Sequence, residues 1–173
     1  MNEKISMIPA AVAAVLCAAC ARHTLDLKGI EVGAMTTPAA LQSALAVNCK
    51  EPTGLCDVDR EKNPIKDARV LGVKLKNWRV MTVTVAFRSR DFDEFDKVLR
   101  AKFGAPDEVR HEPVDDGDGR ENTGEWWTDR AGDVCLLSRY ATKRGDGLLL
   151  MGAAEERSKA TTKQQEKKSE PLL

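Results

Sequence analysis

The chain has 173 residues, and its 27 basic and 27 acidic side chains cancel to a net charge of zero. With no basic excess and no platform of interleaved aromatic and basic residues, the composition argues against a nucleic-acid partner. The length suits one domain, and the aliphatic content supplies a modest core although aromatics are only 5% of the chain.

The first element is an apolar run. Lys4 precedes Ile5 to Leu16, and small residues follow. A basic start, about ten apolar residues and a small-residue cleavage region describe a secretory signal, shorter than the roughly 20 residues a membrane-spanning helix needs. The expectation is export, with residues 1–19 as the signal peptide. Leu16-Cys17-Ala18-Ala19-Cys20 resembles the lipobox of bacterial lipoproteins, in which an aliphatic residue and two small ones precede a cysteine. That resemblance implies cleavage before Cys20 and acylation of its thiol. Cys17 departs from it, standing where the family usually has Leu. Ala19-Cys20-Ala21 equally fits an ordinary small-x-small cleavage site, which would release a periplasmic protein. On the lipobox reading, Ala21 is not the aspartate that holds such proteins at the inner membrane, so the resemblance implies an outer-membrane anchor.

The body is expected over residues 25–153. Leu25, Leu27 and Ile30 to Val32 suggest a first strand. Thr37 followed by Pro38 is a helix start, with a hydroxyl cap and a proline at the first helical position. Leu41, Ala44 and Leu45 give that helix an apolar stripe. Cys49 and Cys56 bracket a turn containing Pro52 and Gly54. In an exported chain a disulfide between them is the default; the alternative is a metal pair, which lacks further ligands at zinc spacing. Cys135 alternates with Val134 and Leu136 and reads as a small buried residue. As a nucleophile it would need a base, and His111 is the one candidate in the body. Asp57 to Lys66 is polar, contains Asn63-Pro64, and reads as a loop.

Leu71, Val73 and Leu75 alternate with polar or small residues. After a break at Asn77-Trp78, Met81, Val83, Val85 and Phe87 do the same. Two such runs so closely joined predict an antiparallel hairpin. The period then lengthens: Phe92, Phe95, Val98, Leu99 and Phe103 form a helical stripe. Asp91 is placed to cap it, with Glu94 as the capping-box partner. Gly104 and Pro106 stop it. Strand, cap and helix thus occur twice, which suggests a weak duplication of a strand–helix–hairpin unit.

Pro106 to Thr123 reads as an acidic, glycine-rich loop. Asp116, Asp118, Gly119 and Glu125 fall at four places of a calcium loop of the EF-hand kind, but Val114 occupies the first place and Glu121 the usual apolar one. A solvated acidic turn is the plainer reading. Glu125 to Thr128, Val134 to Tyr140 and Leu148 to Met151 predict three more strands, joined by turn-rich segments. Trp126 and Trp127 are neighbours on a strand and must face opposite sides, one toward the core and one toward an interface. Residues 154–173 are dense in Lys, Glu, Gln and Thr without an apolar stripe, which fits a disordered tail.

The expected fold is α+β: an antiparallel sheet of about five or six strands with two helices on one face. Gly33-Ala34-Met35-Thr36 before the first helix and Phe103-Gly104-Ala105-Pro106 after the second resemble short motifs of the SmpA/OmlA-type envelope lipoproteins. What this resemblance implies is a non-enzymatic interaction or assembly module whose partner is another envelope protein. A small ligand-binding or inhibitor domain in the periplasm is the alternative. The chain shows no serine nucleophile elbow, metal cluster or phosphate-cradling glycine loop, so no enzyme activity or cofactor is expected.

Overall fold

The computed structural model describes residues 24–58, 64–114, 119–141 and 145–155. The leader with Cys20, most of the polar tail, and Asp116 and Asp118 lie outside them.

The fold is α+β, built on one antiparallel sheet. Among the described residues, eleven strands and two α-helices follow in order. Two-residue strands β1 (Asp26–Leu27) and β2 (Ile30–Glu31) precede helix α1 (Pro38–Leu45). Strands β3 (Val47–Asn48), β4 (Gly54–Leu55) and β5 (Asp57–Val58) are equally short. Long strands β6 (Ala68–Lys76) and β7 (Arg79–Arg88) lead to helix α2 (Phe92–Phe103). The chain ends in β8 (Glu108–Pro113), β9 (Glu121–Thr128), β10 (Val134–Ser138) and β11 (Asp146–Gly152). The main sheet has seven strands in the order β4-β6-β7-β11-β10-β9-β8, while β1-β2 and β3-β5 are separate two-stranded ladders.

The count of five or six strands is therefore too low. The added edge strands are β4, in the turn between the cysteines, and β8, inside the stretch read as a loop; the longer is β8. All its residues are exposed, so no apolar alternation marks it. The duplication does not hold either. A ten-residue strand of the main sheet precedes α2, whereas two-residue ladders outside that sheet precede α1.

The β6–β7 hairpin is as expected, and its turn is now defined. Lys76 pairs with Arg79, and the two residues between them, Asn77 and Trp78, have φ of 51° and 61°. Positive φ at both positions is the type I′ arrangement that matches strand twist. Asn tolerates it; Trp does so only when held. The Trp78 N–H donates to Pro52 O (2.8 Å), and the Asn77 N–H donates to Thr53 Oγ1 (3.0 Å). The loop between Cys49 and Cys56 thus braces the turn.

That loop is closed by the Cys49–Cys56 disulfide, whose Cα atoms are 4.6 Å apart. With seven positions between the two cysteines in numbering, closure removes unfolded-state freedom worth about 2–3 kcal/mol. Cys49→Ser should lower stability by that amount in non-reducing buffer, and reductant should bring the parent down to the same level in a denaturant titration. Equal midpoints for the two proteins without reductant would count against it.

The stop of α2 behaves as the sequence suggests, but only one of the two helix starts does. Thr37 Oγ1 accepts from the Ala40 N–H at 3.2 Å. Asp91 makes no side-chain cap bond. A 3₁₀ turn over Ser89–Asp91 feeds α2 instead, and the Phe92 N–H is taken by Ser89 O. The capping box is therefore not needed to satisfy the first turn. Gly104 ends α2 at φ 83°, a value that favours glycine.

One core lies on one face of the sheet. Registered pairing sets Leu71, Val85, Leu149 and Leu137 in one row across it, and Val73, Val83, Met151, Cys135 and Trp127 in the next. Phe92 and Leu99 of α2 and Leu41 and Leu45 of α1 join the same buried cluster. A register shift between Lys74 and Leu75 places Val80 and Met81, consecutive residues, both in the core.

Candidate functional site

The two neighbouring tryptophans separate as strand geometry demands. Trp127 is 3% exposed, and its indole N–H donates to Gly104 O (3.0 Å), tying the end of α2 to the sheet. Trp126 points to the opposite, outer face and is half-buried. Its ring lies over Gly124: a Cβ there would come within 2.5 Å of the indole. The Arg110 guanidinium sits 4.8 Å from the Trp126 ring centre, a cation–π contact. Trp126 is therefore held against β9 by Gly124 and against β8 by Arg110.

The outer face extends from there. Cross-strand pairing places Trp126 beside Leu136, Leu136 beside Leu150, and Leu150 beside Thr84. Leu148 with Ala86, and Val134 with Gly152, flank that row. These apolar residues are all half-buried. Neither helix contributes to this side, because the buried residues of both belong to the other face. A sheet with one covered face normally alternates apolar in with polar out. Here the outer positions of β10 and β11 include Val134, Leu136, Leu148 and Leu150, beside Ser138, Asp146 and Gly152. A row of aliphatic side chains ending in a tryptophan is the composition of a contact surface.

A second feature lies on the helix side. Leu27, Ile65, Phe95, Val98, Leu99 and Leu149 line a groove of about 510 Å³ beside α2. Its volume is within the range of small-molecule sites. Val98 on its wall is 62% exposed.

A polar cleft of about 540 Å³ opens where the N-terminal segment meets the sheet end. Two of its acids, Asp129 and Asp133, are engaged in holding the backbone. Asp129 Oδ1 accepts from the N–H groups of Ala131 (2.8 Å) and Asp133 (3.0 Å). Asp133 Oδ1 accepts from the Ala154 N–H at 2.8 Å. Burial pushes the Asp133 carboxyl up, and the Ala154 bond opposes that.

The other sequence candidates are dispersed. Cys135 is fully buried in β10, and burial pushes its thiol up to about 12. A thiol so reluctant to ionise is no nucleophile near neutrality. His111 stands two strands away on the edge, its Nδ1 3.2 Å from Glu121 Oε1 and 3.4 Å from Thr123 Oγ1. Glu125, the twelfth residue of the calcium pattern, faces α2 and bonds Arg100. Among the described residues, no three His, Cys, Asp or Glu side chains gather into a metal-sized group, and no helix is long and apolar enough to cross a membrane.

Sequence reasoning missed two features: the aliphatic outer positions of β10 and β11, and the Arg110–Trp126 stack. Leu148-Leu149-Leu150-Met151 carried the signal for the first, as a run apolar on both faces. The second required knowing that β8 exists. Comparison with protein-family models, curated proteins and solved structures finds no match for this chain.

Proposed function

We propose that this chain is an exported envelope protein that works as a non-enzymatic interaction module, docking another envelope protein on the outer face of its sheet. The observation that carries the reading is the row Trp126–Leu136–Leu150, an apolar strip on the face that neither helix covers. The disulfide fits an oxidising compartment. The leader fits export, and the imperfect lipobox at Cys20 supports a lipid anchor. With Ala21 to Thr24 as tether, the body would sit close to the bilayer.

The test is co-purification from envelope fractions with two substitutions on opposite faces. Leu150→Lys or Trp126→Ala should lose the bound protein, whereas Val98→Lys beside α2 should keep it. Loss with Val98→Lys alone would move the function to the groove. Mass measurement of the mature N-terminus reads cleavage and acylation of Cys20 in the same preparation.

The groove itself supports a second reading, a small apolar ligand carried by a periplasmic domain. Its aliphatic and aromatic lining favours that class. Native mass spectrometry of the purified protein would show the ligand as a discrete added mass, removed by Val98→Lys.

A further inference from the structure

Strand β8 closes one end of the sheet, and among the described residues nothing pairs with its outer edge. All six of its residues are exposed, and Val109 is 44% exposed. An edge strand carries a row of backbone donors and acceptors that templates another strand. Charge on such an edge ordinarily repels a neighbouring copy. In β8 the order of the charges reverses that effect in one register.

We propose that two copies of this chain pair β8 against β8, antiparallel, about a two-fold axis at Val109, to make one sheet continuous across the dimer.

The register follows from elementary symmetry. A two-fold axis normal to a sheet keeps each side chain on its own face. Opposed residues must therefore be of like parity, and the axis must pass through a residue. Centred on Arg110, it would set Arg110 against itself and Glu108 against Glu112. Centred on Glu108 or Glu112, it would oppose two carboxylates at the axis. Centred on His111, it would set Val109 against Pro113, which has no N–H to offer. Centred on Val109, every charged contact is between opposite signs, and Glu112 and Pro113 fall opposite Pro106 and Ala105, ahead of the strand. Val109 meets Val109, Glu108 meets Arg110 twice over, and Asp107 meets His111.

The side chains are already disposed for the exchange. Glu108 Oε1 accepts from Arg110 Nε at 2.6 Å within one strand. Both lie on the outer face, where the same Arg110 stacks on Trp126. In the dimer each Arg110 keeps its tryptophan and gains the carboxylate of the other copy. Opposite charges directly across a ladder are stabilising, and like charges destabilise by a similar amount. The outer faces of the two copies then run on in one plane, with both Trp126 rings flanking the joint. This inference is independent of which partner that face receives.

The test uses the full chain as exported, with Val109→Cys. In this register the two introduced thiols oppose each other, so mild oxidation should give a covalent dimer that the parent does not give. Adding Arg110→Glu opposes carboxylates and should cut the cross-linked fraction by about tenfold. Adding Glu108→Arg to that variant reverses both charges and should restore cross-linking. These side chains are exposed, and an unchanged melting temperature confirms folding; the reversed pair also keeps the proposal testable if the single reversal is unstable. No covalent dimer from Val109→Cys, or a yield indifferent to Arg110→Glu, or no recovery on double reversal would overturn the proposal.

Discussion

Phe87→Ala is expected to destabilise the protein by about 3–5 kcal/mol, the usual range for removing a buried phenylalanine. Phe87 is fully buried. On one side its ring stacks on Phe95 of α2, centroid to centroid at 4.2 Å and 17° between planes. On the other it covers Gly147 of β11, Phe87's cross-strand partner. A Cβ on Gly147 would overlap the ring, with Cδ2 at 2.9 Å and two further ring atoms closer still. This glycine exists for a close approach rather than for its backbone freedom. Gly147→Ala should cost about 1–3 kcal/mol by overpacking. Combined with Phe87→Ala, the glycine change should cost almost nothing, since the atom it would strike is gone. A double-mutant cycle in urea reads that coupling. Strictly additive losses would show that the Phe87 ring does not rest on Gly147.

The same contact shows what could be read from the residues. Phe87 and Phe95 announce themselves as core by alternation on one and by helical spacing on the other. Their meeting is implied by strand, short turn, helix. Gly147 announces nothing, because a glycine between Asp146 and Leu148 reads as turn. The structure makes it a strand residue with a ring in place of its own side chain. The hairpin, the two helices, the Cys49–Cys56 clip and the opposite fates of Trp126 and Trp127 were legible, since each depends on local period or spacing. Strand β8 was not. Its residues Glu108 to Pro113 touch no core, so burial left no mark on their order. The pairing in the two short ladders was equally hidden: β3 and β5 are held beside each other by the disulfide loop rather than by propensity.

The candidate surface was half legible for a related reason. That one tryptophan faces outward follows from alternation alone. That Leu136 and Leu150 stand beside it follows only from register, which the turns between β9, β10 and β11 fix. Glu125 reads in sequence as the first residue of a strand, and the calcium pattern it also fits says nothing of its burial. In the fold it shares a cross-sheet row with Leu137 and Leu149 and is 4% exposed.

Glu125 leads to the other large effect. Arg100 of α2 donates from Nη2 to Glu125 Oε1 at 2.6 Å and from Nε to Asp96 Oδ1 at 2.5 Å. One cation therefore serves two carboxylates, and Glu125 Oε2 is buried without a donor among the described residues. Arg100→Ala should cost about 2–3 kcal/mol; a fully buried pair broken on one side costs about 3–5, and the Arg100 side chain is 40% exposed. Burial is the main cause that raises the Glu125 carboxyl above its ordinary range, reinforced by its hydrogen bond with Asp96 and opposed by Arg100. A proton on the Glu125 carboxyl removes the cost of a buried charge and gives that carboxyl a donor to offer Asp96. The sign of the pH effect follows. The folded state keeps this proton where the unfolded chain has released it, so the contribution is complete below the ordinary glutamate range. It is lost as pH rises through the raised value in the folded protein. Asp133, also raised, acts in the same direction, so the parent alone does not isolate Glu125. Glu125→Gln does, because its amide donates to Asp96 as the protonated acid would while its carbonyl still accepts from Arg100. The difference in melting temperature between Glu125→Gln and the parent should grow in favour of the variant from mildly acidic to neutral pH. A constant difference across that window would place the proton elsewhere and leave the buried oxygen unexplained. The charged groups nearest on the same face are already matched, Arg139 to Asp93 at 2.5 Å and His111 to Glu121 at 3.2 Å. That leaves the three-residue cluster on α2 and β9 as the part of this interface where one proton decides how firmly the helix is held.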